Sequence, residues 1–549
     1  MIPLFLLALG LASPTIAAQV GTFADAGNTQ VSAMMMFVGN KDKVYIIDKA
    51  EGNAAQINGH PAWVRDFNTH QVQLMDIKTN SFCASGMHLP NGSYVTFGGN
   101  ALSHLWRYWS VPNGQGAASF DATYQDYDGS KSIRVLNPCT TLMISALPIA
   151  SGSTILTFYL CWRSAGYINR NTPNTDPFNE GGAAQSTFEF YPNNGRGATV
   201  MNFMGKTSGL NAYAHTYLMA SGKMLVQANY STMLWDPSTN TETDLPDMPG
   251  KVVRVYPATG AVAMLPLTPA NDYTPTDCQR ITPEPVDGSA PVYIQDDDML
   301  EGRTMGQFII LPDGKMLVVN GGLNGNRWIR YHQMPFGMSL ASGPVGTPAL
   351  YDPNAPAGHR WSNAGFSTSN IARLYHSSAI LLPDASVLIA GSNPNVDVNL
   401  TTIFPTQYQA EIFYPPYFSA TTRPVPSGIP STLSYGGNDA AGNTTVVVVR
   451  PGWTTHGMNM GQRFLQLNNT FTVNSDGCLP TLTFFQPGPA MVFVVVNGIP
   501  SNGTFVIVGS GSVGTQPTQA ASTLPTSVRS SSASGSGSSV NSNKPNGDP

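Results

Sequence analysis

Leu311-Pro312-Asp313-Gly314, followed at once by Lys315-Met316-Leu317-Val318-Val319-Asn320-Gly321-Gly322, reads as a tight turn feeding a buried strand. An Asp-Gly pair tolerates the left-handed backbone of a hairpin, and the apolar β-branched run behind it has a strand's composition. The phrase recurs. Leu89-Pro90-Asn91-Gly92 precedes Ser93-Tyr94-Val95-Thr96-Phe97, Ala220-Ser221-Gly222-Lys223 precedes Met224-Leu225-Val226-Gln227-Ala228, and Leu382-Pro383-Asp384-Ala385 precedes Ser386-Val387-Leu388-Ile389-Ala390-Gly391. A repeating strand-turn-strand unit marks the blade of a β-propeller, about 40 to 50 residues long. The spacing here is uneven, so a β-sandwich of tandem hairpins stays open as the alternative.

Composition agrees with an all-β fold. Among 549 residues, 11% are charged and 42% hydrophobic, with 54 Gly and 43 Pro, which suits short strands and tight turns better than long charged helices. The formal charge is −5 and Lys and Arg form no cluster, so the electrostatic footprint of a nucleic-acid binder is missing. Beyond Tyr414-Pro415-Pro416 the texture shifts to short alternating strands at Thr444 to Arg450, Phe464 to Leu467 and Ala490 to Val496. A second, sandwich-like unit is expected there.

The two ends point to export. Ile2 to Leu11 is apolar and small residues follow, so 1–18 is expected to be a signal peptide cut near Ala17 or Ala18, too short for a membrane span. Sequons at Asn91, Asn229, Asn399, Asn443, Asn468 and Asn502 agree with a secreted, extracellular glycoprotein. Residues 510–549 are Ser, Thr, Gly and Pro with little apolar content, the composition of a disordered tail.

Spacing alone identifies no catalytic site. The nine His are scattered singly, without His-Glu-x-x-His or Cys-x-x-Cys, so a zinc hydrolase has no support. Taken singly, Cys83 fits a small buried hydrophobe, Tyr375 a core aromatic and His376 a turn residue.

Three stretches together say more. Phe82-Cys83-Ala84-Ser85-Gly86-Met87-His88, Arg373-Leu374-Tyr375-His376-Ser377-Ser378-Ala379 and Thr455-His456-Gly457-Met458-Asn459-Met460-Gly461-Gln462-Arg463 resemble the copper-site segments of glyoxal oxidases, copper-radical oxidases related to galactose oxidase. The resemblance extends to Tyr167-Ile168-Asn169-Arg170-Asn171, to Cys278 through Pro285 and to Glu411 through Tyr417.

It implies a seven-bladed, kelch-like propeller at 19–418 followed by an immunoglobulin-like β-sandwich at 419–509. It also implies a Cu(II) ion held by Tyr375, His376 and His456. Cys83 would be joined through sulfur to a second tyrosine, forming the Tyr-Cys radical cofactor. Tyr375 would act as general base while the crosslinked radical takes hydrogen from carbon. The implied partners are a small aldehyde of the glyoxal or methylglyoxal type, oxidised to a carboxylic acid, and O2, reduced to H2O2 that extracellular peroxidases would consume. A monomer is expected. A primary alcohol or sugar oxidase, and a non-catalytic carbohydrate or cell-wall binding propeller, are the alternatives.

One departure bears on the choice. The family's Arg-Trp-Tyr segment, with the tyrosine that joins the cysteine, is absent. The stretch between Cys139 and Gly166 matches no family blade. If Leu142 to Ser145 is coded CTG ATG ATT TCn, a shifted frame reads Asp-Asp-Phe, and if Ile149 to Ile155 is coded ATT GCG AGT GGT TCG ACA ATC, the same shift reads Cys-Glu-Trp-Phe-Asp-Asn, phrases of the family at this place. An out-of-frame segment with propeller strands missing is therefore expected, and with it an inactive chain. Tyr159 and Tyr167 lack the surrounding motif of a substitute. A second gap is expected at Tyr273 to Cys278. Of five Cys, Cys139 and Cys278 are expected to have lost disulfide partners, Cys161 falls inside the foreign stretch, and the pairing of Cys478 stays open.

Overall fold

The computed structural model describes residues 20–48, 71–98, 132–138, 187–191, 199–207, 213–255, 260–268, 279–325, 341–435, 444–467 and 485–514, short of a few single positions, with isolated strand pieces outside those ranges. Cys139, Cys161, Cys278, Tyr167, most of the 139–166 stretch, the leader apart from Leu9–Gly10, and nearly all of the tail lie outside the described residues. Among the described residues the α-helix content is a single turn, Asn202–Lys206; two short 3-10 turns, Pro249–Lys251 and Pro416–Ser419, accompany the strands and loops.

Every repeated phrase forms the hairpin expected of it. Ser85–His88 pairs with Tyr94–Phe97, His215–Leu218 with Met224–Ala228, Gln307–Ile310 with Met316–Val319, and Ser377–Leu381 with Val387–Gly391, all antiparallel. The turn chemistry differs from the expected one. Only the residue after the Asp, Asn or Ser is left-handed, at Gly92, Gly222, Gly314 and Ala385. The polar residue before it accepts from the amide two positions on, as in Lys315 N to Asp313 Oδ1 (3.2 Å) and Ser386 N to Asp384 Oδ1 (2.9 Å). This is a three-residue loop closed by an Asx turn, with one positive φ in place of two.

Two such hairpins grow into the four-stranded sheets His215–Leu218, Met224–Ala228, Ser231–Asp236, Thr241–Leu245 and Gln307–Ile310, Met316–Val319, Ala349–Tyr351, Trp361–Ser362. A third sheet is completed from the far end of the chain: Phe23–Asn28 adds to Gln409–Phe413 as the outer strand beside Val387–Gly391 and Ser377–Leu381. The start of the chain is thereby tied to residues almost 400 positions later. The sheet Phe158–Tyr159, Thr187–Phe190, Thr199–Val200, which begins inside 139–166, has outer strands of two residues.

The C-terminal unit is a mixed sheet centred on Gly488–Val496, flanked by Thr444–Arg450 and Thr504–Val508. It is not packed apart from the earlier sheets. A single core cluster holds Ile309, Leu317 and Ile389 together with Val447, Phe464, Met491 and Phe493. A hairpin of this unit, Trp453–Thr455 with Met458–Met460, leaves it and pairs with Met35–Val38, Met35 opposite Thr455. His456 and Gly457, at φ 49° and 78°, form the two-residue turn at its tip, in the backbone form for which Asn-Gly is usually selected.

Candidate metal centre

Cys83, Tyr213, Met305 and His376 share one local conformation, with φ between 57° and 60°, and each stands one or two residues ahead of the first strand of its sheet. A left-handed backbone costs a non-glycine residue about 1–2 kcal/mol, and such strain collects at functional sites where surrounding structure enforces it. Here four sheets spend it at one place. Tyr213, Met305, Leu374, Tyr375 and Met458 form a buried cluster against which Cys83 packs.

Into this cluster the hairpin tip brings His456. Its Nε2 lies 3.1 Å from His376 Nε2 and 3.7 Å from Cys83 Sγ, and the ligand atoms of the three residues all fall within 4.8 Å of one another. Both rings are held from behind. His376 Nδ1 is 3.0 Å from the Asn393 carbonyl, which accepts its proton, and His456 Nδ1 is 2.6 Å from Thr455 Oγ1. Such contacts leave each Nε2 lone pair turned inward. Burial pushes the His456 pKa down to about 3, so the imidazole stays neutral.

The aromatic surroundings fix both planes. Tyr375 stacks on His376 with centroids 3.7 Å apart and meets His456 edge-on at 6.3 Å. Tyr213 lies flat on the other imidazole, 4.4 Å from His456 at 20°, and its hydroxyl donates to the Cys83 carbonyl at 2.5 Å. Gln307 anchors the hairpin: its Nε2 donates to Thr454 Oγ1 and Asn459 Oδ1, while its Oε1 accepts from the Ala379 amide.

All four site residues expected from sequence, Cys83, Tyr375, His376 and His456, therefore come together. Neither Tyr213 nor Gln307, Asn393 and Thr455 was singled out by sequence; the available signal for Tyr213 was its position two residues before a first strand, as Cys83 has. His215 is buried elsewhere, and its pKa is lowered to about 4 by burial. Of the sequons, Asn229 is buried, 1% exposed, whereas Asn91, Asn399 and Asn502 are exposed.

The donor set of two imidazoles, a thiol and a phenol suits copper. Comparison with known proteins agrees with that chemistry. A model described as "Glyoxal oxidase N-terminus" matches residues 122–278 and 273–417, and one described as "Galactose oxidase-like, Early set domain" matches 416–508. The chain belongs to the glyoxal oxidase family. The first match breaks at 273–278, where the sequence places its second gap. Cys83 precedes the matched residues, and it is the geometry that puts its sulfur beside the histidines.

Among similar proteins are "Aldehyde oxidase GLOX" of Vitis pseudoreticulata, 28% identical over 489 residues, covering 80% of this chain and 84% of the relative. "Aldehyde oxidase GLOX1" of Arabidopsis thaliana is 27% identical, covering 80% and 73%. A solved structure titled "Novel fungal alcohol oxidase with catalytic diversity among the AA5 family, in complex with copper" aligns over 88% of this chain and 98% of its own, at 14% identity and TM-score 0.50. That likeness concerns the fold.

Proposed function

We propose that the protein is built as an extracellular copper-radical oxidase of small aldehydes, on a seven-bladed propeller followed by an immunoglobulin-like sandwich. The closing strand Phe23–Asn28 and the recurrent hairpins support the propeller. The observation that carries the activity is the pair of inward-facing Nε2 atoms 3.1 Å apart, flanked by Cys83 and Tyr375.

His376 and His456 would hold the metal through Nε2, with Asn393 and Thr455 keeping their rings in plane. When bound there, Cu(II) would supply one electron of oxidising capacity and Lewis acidity toward the substrate oxygen. Tyr375 accepts the hydroxyl proton of an aldehyde hydrate at its phenol oxygen. A tyrosine joined to Cys83, where the chain supplies one, would provide the radical that takes the hydrogen on carbon. Overall, an aldehyde hydrate and O2 give a carboxylic acid and H2O2.

This chain lacks the segment with that tyrosine, so it is expected to bind copper without turning over. The same absence favours a second reading, a non-catalytic cell-wall or carbohydrate binding protein. Secretion after cleavage near Ala18, a monomeric state and consumption of the H2O2 by peroxidases belong to the proposal.

Peroxide release from copper-loaded protein tests it, with glyoxal and methylglyoxal set against galactose and simple alcohols. A chain with the tyrosine segment restored should oxidise the aldehydes fastest. Preference for alcohols or galactose would make it an alcohol or sugar oxidase, and no peroxide from the restored chain would leave the binding reading.

A further inference from the structure

Met460 stands between two cores. It packs against the cluster of Tyr213, Met305, Tyr375 and Met458 and also against the cluster of Phe37, Tyr94 and Trp453. It belongs to the hairpin that carries His456 and lies directly across the ladder from Trp453. It is also a place where this packing meets solvent. Among the described methionines all are buried except Met87, Met299 and Met460, and of those three Met460 alone packs against the clusters around the candidate metal centre.

We propose that Met460 is a site of reversible oxidation by hydrogen peroxide, and that its sulfoxide loosens the seat of the hairpin and lowers the affinity of the centre for its metal. The inference rests on the copper-oxidase reading for the source of the peroxide, since product building up beside the site would then turn the site down. The step itself is an oxygen transfer. The thioether sulfur gives two electrons to the peroxide, an S–O bond forms, the O–O bond breaks and the second oxygen leaves as water. A flexible apolar side chain becomes a polar one, a change that disrupts apolar packing. Met305 and Met458, in the same cluster, are buried and thereby shielded from the oxidant.

Trp453 gives the sulfoxide oxygen a partner. Its Nε1 is buried without a hydrogen-bond acceptor, in a side chain that is 1% exposed. Residues directly opposed in an antiparallel ladder have Cβ atoms about 4.5–5.5 Å apart, within the span of a methionine side chain. A thioether sulfur is a weak acceptor. A sulfoxide oxygen is a strong one, so oxidation would draw Met460 toward the indole and away from Tyr375 and Met458. Gln307 and Gln462 hold the hairpin backbone on either side, through the Met458 carbonyl, Asn459 Oδ1 and the Ile310 amide. The disturbance is therefore centred on the packing beside His456.

Metal-free, full-length protein treated with dilute hydrogen peroxide, then with catalase, tests this. Peptide masses should show Met460 gaining one oxygen along with Met87 and Met299, and well before Met305 and Met458. Affinity for Cu(II), measured by titration, should fall about tenfold and return after methionine sulfoxide reductase, which does not act on oxidised cysteine. Met460→Leu should bind Cu(II) nearly as the natural chain does and keep that affinity after peroxide. Met87→Leu and Met299→Leu should still lose it. If Met460→Leu does not fold, samples stopped at graded times replace it: the affinity lost should follow the fraction of Met460 oxidised and not that of Met87.

Met460 left unoxidised where Met87 and Met299 are oxidised, a sulfoxide at Met460 with unchanged affinity, or an equal loss in Met460→Leu would overturn the proposal. If the untreated protein binds no Cu(II), the copper-site reading falls by itself. The proposal is then read from the thermal unfolding midpoint, which peroxide should lower in the natural chain and not in Met460→Leu; equal midpoints before and after treatment would overturn it.

Discussion

Tyr213 lies flat on His456, ring centroids 4.4 Å apart and planes within 20°, while its hydroxyl donates to the carbonyl of Cys83. One side chain from the His215–Leu218 sheet thus ties the cysteine turn to the imidazole delivered by the C-terminal hairpin. Tyr213 touches both.

Removing parts of Tyr213 should separate its two roles. Tyr213→Phe keeps the ring on His456 and loses the tether to Cys83, which should cost about 1 kcal/mol of stability and leave metal affinity nearly unchanged. Tyr213→Ala removes the plate as well. It should lower metal affinity about tenfold and alter the Cu(II) paramagnetic resonance spectrum, as loss of an outer-shell contact does. Titration and the spectrum of both variants check this; identical spectra for wild type and Tyr213→Ala would refute it.

Gly86 allows the hairpin carrying His456 to seat. A Cβ there would lie 2.4 Å from the Trp453 indole, which is fully buried and stacked on Phe37 at 4.7 Å. Gly86→Ala should therefore displace Trp453, three residues before His456, at a cost of about 1–3 kcal/mol. Thermal unfolding should register the loss, and metal affinity should fall with it.

The hairpins were legible because Asp-Gly and Asn-Gly followed by Met-Leu-Val-Val or Tyr-Val-Thr-Phe is a local signal. What happens at Asp313 was half legible, since one residue is left-handed and the side chain closes the turn. The four site residues were legible only as members of recognised segments. Nothing in the spacing of Cys83, His376 and His456 announces a cluster, because the contacts joining them span 373 and 80 residues. Tyr213 and Gln307 stayed hidden for a related reason: their partners, His456 and the strand Trp453–Thr455, belong to a hairpin that leaves its own unit to pair with Met35–Val38. Pairing over that range is set by packing, not by propensity.

Asp313 gives the stability a pH dependence of known sign. Burial, helped by the charge of Asp352 and opposed by hydrogen bonding and attraction from Lys315, raises its pKa to about 6, and the group also faces Tyr417. Because the folded value lies above the unfolded 3.8, the native state holds the proton longer. This contribution is fully present below about pH 4 and is lost as the pH rises through about 6. Asp313→Asn keeps the turn acceptor and removes the ionisation. It should stabilise the protein by about 2 kcal/mol at pH 7 and leave it unchanged at pH 3.5, where denaturant unfolding at the two pH values would reveal the difference. Equal effects at both would contradict the assignment.

The last expectation concerns the missing tyrosine. The sheet Phe158–Tyr159, Thr187–Phe190, Thr199–Val200 begins inside 139–166, and its two-residue edge strands contrast with the four strands of the His215–Leu218 sheet. Propeller strands missing there would leave backbone groups unpaired and favour association between chains. If the stretch is out of frame, genomic DNA across codons 139–166 should contain, in another frame, an Arg-Trp-Tyr segment and a further hairpin. A chain built from that frame should be more soluble, lose two hydrogens when Cys83 joins the tyrosine, and release peroxide from glyoxal once loaded with copper. An uninterrupted gene and transcript encoding Thr140 to Ala165 as they stand would instead make the absence of the tyrosine genuine.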